Sequence, residues 1–335
     1  MTRNRYYAGP VSDHFDGECF TSPIPTPDKS FGEVLRWSWT SKRERWPASV
    51  PITPAVPNPR EQETRITVVG HATLLIQSGG VNILTDPLFS NRASPFSFAG
   101  PRRVCPPGVR FEDLPKIDIV LLSHNHYDHL DVATLKKLVA RDDPRIITPL
   151  GNDTILRKSI PRARTEAGDW WSQHWLGKEM EAVIVPAQHW SARGLRDRRH
   201  ALWCGFMLRL RDGLLYFAGD TAYGDGGIFR DLRARFGAPD LALLPIGAYR
   251  PRWFMGPQHT DPDEAVQIMQ DLGARRALGI HWGVFPLSDE GRDTPREDLA
   301  RALNARSIPA ERFPAAEPGT VWDLVPADQQ LHRFV

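Results

Sequence analysis

Four side chains able to bind a metal crowd into six positions of this sequence. They are His124, His126, Asp128 and His129, within Ser123-His124-Asn125-His126-Tyr127-Asp128-His129-Leu130-Asp131. Neutral imidazoles and a carboxylate suit zinc or a similar divalent ion. A regular helix cannot aim all four at one centre, because positions two apart point to different sides. A loop can divide them, with His124 and His126 toward one ion and Asp128 and His129 toward a second. The competing reading is a polar loop that holds its histidines by chance. Against it, three of the chain's 11 histidines fall within six residues.

Such a cluster needs a rigid support, and the mostly apolar run Ile117 to Leu122 directly before it has the length and β-branched content of a buried strand. Three later residues occupy equivalent places. His189 follows the run Ala182 to Pro186, Asp220 follows Leu214 to Ala218, and His281 follows Ala277 to Ile280. A lone histidine after a strand is more often a core or surface residue, but each of these repeats the placement of the first cluster. Asp86 ends the run Val81 to Thr85 as Thr-Asp-Pro, where an Asx turn competes with a role beside the metals. Two ions about 3.5–4 Å apart would share a hydroxide and stabilise both attacking and leaving oxygens, which is hydrolytic chemistry. No G-x-S-x-G, Walker loop or G-x-G-x-x-G offers a rival chemistry.

The H-x-H-x-D-H motif resembles the signature of the metallo-β-lactamase superfamily. Gly70-His71-Ala72-Thr73, Thr85-Asp86-Pro87 and His14-Phe15-Asp16-Gly17 resemble its branch that includes N-acyl-phosphatidylethanolamine phospholipase D. The likeness runs from about residue 12 to near the C-terminus. It implies an α/β fold, the four-layer αββα metallo-β-lactamase sandwich. It also implies that His124, His126 and His189 bind one metal, that Asp128, His129 and His281 bind the other, and that Asp220 bridges both. Asp128, Asp220 and Asp86 are then the catalytic carboxylates, with Asp86 supporting a ligand histidine. Gln258-His259-Thr260 matches a segment near the substrate, although helix-start chemistry explains it equally well. His71, Trp190 and Tyr223 are further candidates for the cleft, with core packing as the alternative.

The expected function is a dinuclear metal-dependent hydrolase holding two divalent ions, with zinc the first choice and iron or manganese open. The branch resemblance implies a phosphodiesterase of phospholipase D type, acting on an N-acyl-phosphatidylethanolamine-like phospholipid through a metal-bridging hydroxide. A lactonase or other ester hydrolase with the same site is the alternative among enzymes. A non-catalytic metal-binding protein is the alternative of another class. Arg193, Arg196 and Arg198 are candidates to meet a substrate anion. Phe89, Phe96 and Phe98, in the long loop 87–110, either line an apolar entrance or pack on the body.

Composition sets bounds on all of this. The 335 residues are 41% hydrophobic and 24% charged, an ordinary globular balance. Lys and Arg number 42 against 40 Asp and Glu, for a net charge of +2, which argues against nucleic acid as a partner. Three scattered cysteines, Cys19, Cys105 and Cys204, give no disulfide framework and fit a cytoplasmic protein. No apolar run has the length of a membrane span, and Met1 to Tyr7 lacks the apolar stretch of a signal peptide. Peripheral membrane contact stays open, as does the oligomeric state.

Two segments are expected: a proline-rich arm, 1–62, and a hydrolase body, 63–335. Prolines keep the arm irregular apart from a short helix over Phe31 to Trp39, and Trp37, Trp39 and Trp46 suggest packing on the body. In the body, strands are expected at Ile66 to Val69, Thr73 to Gln77, Ile146 to Thr148, Leu202 to Leu210, Leu241 to Ile246 and Val321 to Leu324, besides those already named. Helices are expected after Asp131, over Asp153 to Ile160, from Asp261 to Gly273, and from a capping box at Thr294.

Overall fold

The computed structural model describes residues 4–26 and 28–324. Met1 to Arg3, Pro27 and residues 325–335, parts of the expected arm and body, lie outside them. Among the described residues, seven strands form one sheet: β1 (Arg65–Gly70), β2 (Thr73–Ser78), β3 (Val81–Thr85), β4 (Ile119–Leu121), β5 (Arg145–Pro149), β6 (Arg164–Gly168) and β13 (Val321–Asp323). Their order is β13-β1-β2-β3-β4-β5-β6. Six form the second: β7 (Gln173–Gly177), β8 (Met180–Val185), β9 (Gly205–Leu210), β10 (Gly213–Phe217), β11 (Leu241–Pro245) and β12 (Arg276–Ile280), in the order β12-β11-β10-β9-β8-β7.

The sheets face each other over one apolar layer. Ile66, Leu74, Ile83 and Leu121 of the first meet Ile184, Phe206, Phe217 and Leu243 of the second. Burying each such side chain stabilises the fold by about 1.5–3 kcal/mol. The outer face of the first sheet, through Leu75, Val120 and Ile146, is covered by α2 (Val132–Asp142) and α3 (Asn152–Ser159). The outer face of the second is covered by α4 (Gly227–Phe236), α6 (Pro262–Leu272) and α7 (Thr294–Ala305). The result is the four-layer αββα sandwich. Two further helices, α1 (Phe31–Thr40) and the four-residue α5 (Arg252–Met255), lie beside it.

Local chemistry explains the helix starts. Asp131 caps α2 by accepting from the amides of Ala133 and Thr134, and Asp261 forms a capping box with Glu264 on α6. The box expected at Thr294 is absent: Thr294 is the first helical residue, and its N-cap Asp293 makes no side-chain cap bond. The run Ile117 to Leu122 pairs as a strand only over Ile119–Leu121, and the strand expected from Leu202 begins at Gly205. Leu202 and Cys204 instead donate their amides to Leu150 and Ser123.

The arm lies on the body. Phe15 and Phe20 pack with Ala187, Leu202 and Trp203, and His14 stacks on Trp170 at 4.4 Å. Trp37 stacks on Phe254 at 4.6 Å, and Trp46 donates to the carbonyl of Glu290. Trp39 corrects the expectation for the three tryptophans, because it is 82% exposed.

Candidate metal centre

Strand direction gathers the site. β1, β3 and β4 run parallel in the first sheet, as do β8, β10 and β12 in the second. The residues just beyond their C-terminal ends are His71, Asp86, Ser123 to His129, His189, Asp220 and His281, and these meet at one edge. The turns there are tight. His71, Asp86 and His281 have φ of 59°, 32° and 61°. Such left-handed values are uncommon outside glycine and concentrate at functional sites. Gly219 has φ of 58°, and a Cβ there would fall 2.8 Å from that of Ser123, so the turn into Asp220 requires glycine.

Two groups of donor atoms result. His124, His126, His189 and Asp220 form one, and His71, Asp128, His129 and His281 form the other, with each group's ligand atoms within 4.8 Å of one another. Asp220 faces both. Its Oδ2 lies 3.6 Å from His189 Nε2, 3.8 Å from His124 Nε2 and 3.2 Å from His129 Nε2, and its Oδ1 lies 3.2 Å from His281 Nε2. Asp128 Oδ2 lies 3.1 Å from His71 Nε2 and 3.3 Å from His281 Nε2.

Hydrogen bonds behind the rings fix their tautomers. Asp86 accepts from the amide and hydroxyl of Ser123, at 2.7 and 2.6 Å, and from His129 Nδ1 at 2.7 Å. The Ser123 hydroxyl, having donated, accepts from His124 Nδ1 at 2.9 Å. His189 Nδ1 donates to the Gln258 carbonyl at 2.8 Å. With those protons spent, the Nε2 atoms of His124 and His189 turn lone pairs toward His126 Nδ1, at 2.9 and 3.2 Å. A proton on His126 Nδ1 serves only one of these two lone pairs, whereas a cation among the three nitrogens would satisfy both.

The electrostatics fit the same conclusion. Burial, reinforced by neighbouring imidazoles, pushes His124 and His189 well below the ordinary histidine value and holds His71 at about 3. These rings are neutral and able to ligate at neutral pH. Burial opposes the charge on Asp128 and Asp220, yet the surrounding imidazoles hold both carboxyls well below their usual range. Burial also disfavours charge on His129, but Asp220, Asp128 and Asp86 outweigh it and raise its pKa well above the ordinary value. That proton supplies positive charge where a metal would supply it. Buried Nε2 of His129 and His281 and Oδ1 of Asp220 have no hydrogen-bond partner. The donor set, its orphaned atoms and its charge balance all fit divalent metal ions.

His71 was legible only as a candidate for the cleft, yet it sits against Asp128, and its carbonyl accepts the His281 amide at 3.0 Å. The signal was present, since His71 also lies just past an apolar run, Ile66 to Val69. His259 is buried, with its unpartnered Nδ1 3.9 Å from Asp220 Oδ2. Gln258 and Trp190 line a narrow pocket with His189. Tyr223 is not brought there. Its hydroxyl donates to Asp271 at 2.8 Å and its ring stacks on Phe229, because it packs, half-buried, with α4 and α6 on the outer face of the second sheet.

The arginines divide. Arg193 braces the metal loop, donating to the carbonyls of Asn125 and Leu130 and stacking over Tyr127 at 4.0 Å. Arg198 stacks over Trp190 at 3.6 Å and lines the narrow pocket, while Arg196 is exposed. Phe89 packs edge-on against Phe111. Phe96 and Phe98 stay exposed, and Phe96 rims a cavity of about 640 Å³ with Tyr127, Leu130 and Lys136.

Residues 81–282 match the β-lactamase superfamily domain. The chain is 38% identical over 268 residues to N-acyl-phosphatidylethanolamine-hydrolyzing phospholipase D 1 of Caenorhabditis elegans, covering 77% of this chain and 75% of that one. It is 40% identical over 225 residues to the mitochondrial enzyme of that name from Saccharomyces cerevisiae, covering 66% of this chain and 47% of that one. The fold is shared with an isothiocyanate hydrolase from Delia radicum gut bacteria, with a TM-score of 0.62 at 21% identity over 77% of this chain and 98% of that one.

Fold and site together define a metal-dependent hydrolase. The chain belongs to the metallo-β-lactamase superfamily, among relatives named as phospholipases D that hydrolyse N-acyl-phosphatidylethanolamine. The reading as a non-catalytic metal-binding protein gives way to an enzyme.

Proposed function

We propose that the protein is a phosphodiesterase of phospholipase D type acting on an N-acyl-phosphatidylethanolamine-like phospholipid. The observation that carries the proposal is Asp220, one carboxylate whose two oxygens face two separate imidazole groups. The names of the relatives supply the substrate class.

In this reading His124, His126, His189 and Asp220 hold one divalent ion. Asp128, His129, His281 and Asp220 hold the second, and zinc suits both donor sets. When bound, such a pair acidifies water and offsets charge on the phosphoryl oxygens. The chain's own residues do the rest. Asp86 orients His129 directly and His124 through Ser123, and the Gln258 carbonyl orients His189. The free Nδ1 of His259 offers a hydrogen bond to a phosphoryl or leaving-group oxygen near Asp220. Trp190 and Arg198 give the pocket beside His189 an apolar wall and a cation.

A substrate panel tests this. The metal-loaded protein should cleave bis(p-nitrophenyl) phosphate faster than it opens a lactone or a β-lactam. Rapid lactone opening with no diester cleavage would instead establish the lactonase alternative.

A further inference from the structure

We infer that the face carrying α1 docks on the surface of an anionic phospholipid bilayer. The inference rests on the reading above, in which the substrate is a membrane phospholipid, and adds which surface meets the membrane. The starting observation is that α1 buries little of its apolar character. Trp37 packs into the small cluster of Ala248, Phe254 and Met255, but Val34, Leu35 and Trp39 project outward. Leu35 and Trp39 stand four apart and so share one face of the helix. Trp253 of α5 is also exposed, with the Arg36 guanidinium 4.8 Å from its ring centre.

Charge of both signs surrounds this apolar strip, but the unpaired part of it is basic. Lys42, Arg43 and Arg45 follow α1 on exposed chain; Arg43 lies 3.9 Å from Asp289, and among the described residues Lys42 and Arg45 make no ion pair. The acidic side chains of the segment are already neutralised. Asp28 pairs with Arg198 and Arg199, Glu33 with Lys29, and Glu44 with Arg250. An exposed tryptophan and leucine among unneutralised lysine and arginine is the composition of an interfacial helix. Its rings enter the headgroup boundary while its cations meet anionic lipid.

Position links this face to the chemistry. Asp28 and Lys29, immediately before α1, line the narrow pocket that reaches His189, as do Pro257 and Gln258 just after α5. Lys29 also donates to the carbonyl of Trp253, tying the two rims together. The loop that supplies Trp190, Arg198 and Arg199 to the same pocket exposes Leu195 fully. A bilayer on this face would therefore present its headgroups at the pocket mouth. No helix among the described residues is long and apolar enough to cross a membrane, so the contact would be a surface one.

The test is co-sedimentation of the whole protein with vesicles of phosphatidylcholine and phosphatidylglycerol, in parallel with turnover of a soluble short-chain diester. Wild type should sediment with the anionic vesicles and release as salt is raised. The pair Leu35→Ser and Trp39→Ser, and separately Lys42→Glu with Arg45→Glu, should each weaken binding by about tenfold or more, with soluble-diester turnover unchanged. Vesicle binding by wild type that both variant pairs retain, or no binding at all, would overturn the inference. So would concentration-dependent dimerisation, lost in the Trp39 variant, without vesicle binding. Vesicle binding with no diester turnover would overturn the proposed reaction and leave the docking face standing.

Discussion

His129 Nδ1 donates to Asp86 Oδ2 at 2.7 Å, with both side chains completely buried. Asp86 also accepts twice from Ser123, so one carboxylate fixes the start of the metal loop and two of its rings. Asp86→Ala should lower metal affinity by about 10–100-fold, as loss of a carboxylate behind a ligating histidine typically does. Titration with a metal indicator, read beside the melting curve, checks this. Unchanged affinity would deny Asp86 that role.

Asp220→Asn keeps the shape of the side chain but removes its charge from between the two groups of imidazoles. Activity should fall by on the order of 100-fold or more, with one metal equivalent lost. Circular dichroism and elemental analysis on the same sample separate this from unfolding.

His71 contacts Asp128 by its side chain and His281 by its backbone. His71→Ala should deplete the ion associated with Asp128, His129 and His281 and spare the other. Cobalt substitution followed by absorption spectroscopy would show one band set lost. Loss of both, or of neither, would contradict the assignment.

The metal-stripped protein should lose stability as pH falls from 6.5 toward 4. Burial holds His71 at about 3 and His259 at about 4, below the value of about 6.5 expected in the unfolded chain. In that window the unfolded chain binds more protons, so acid favours unfolding, by roughly 2 kcal/mol per imidazole between pH 6.5 and 5. His129, whose pKa is raised, acts in the opposite sense. Its contribution is complete below 6.5 and is lost only as pH rises through its folded value. Urea titrations at pH 7 and 5 in the presence of chelator measure the difference, and equal stability would contradict it.

Residue order alone revealed how the framework carries the site, because each donor follows an apolar run and such runs are strands. The strands β6 and β7 were not legible. Arg164–Gly168 and Gln173–Gly177 are largely polar and only partly buried, as edge strands of their sheets. The helix α4 was missed because its N-cap is Gly226, which offers no side-chain signal. Tyr223 was misplaced because nearness in sequence to Asp220 says nothing of which face of the second sheet a side chain takes. Trp39 carries the same lesson for the arm, since tryptophan content suggests packing but does not choose which ring is packed.

The most direct measurement follows the oxygen. The metal-loaded protein is incubated with N-acyl-phosphatidylethanolamine in 18O-water, and the products are read by mass spectrometry. Attack at phosphorus with release of the ethanolamine oxygen predicts 18O in the phosphatidic acid and none in the N-acylethanolamine. Label in a released fatty acid, or an intact diester under conditions where a lactone is opened, would contradict it.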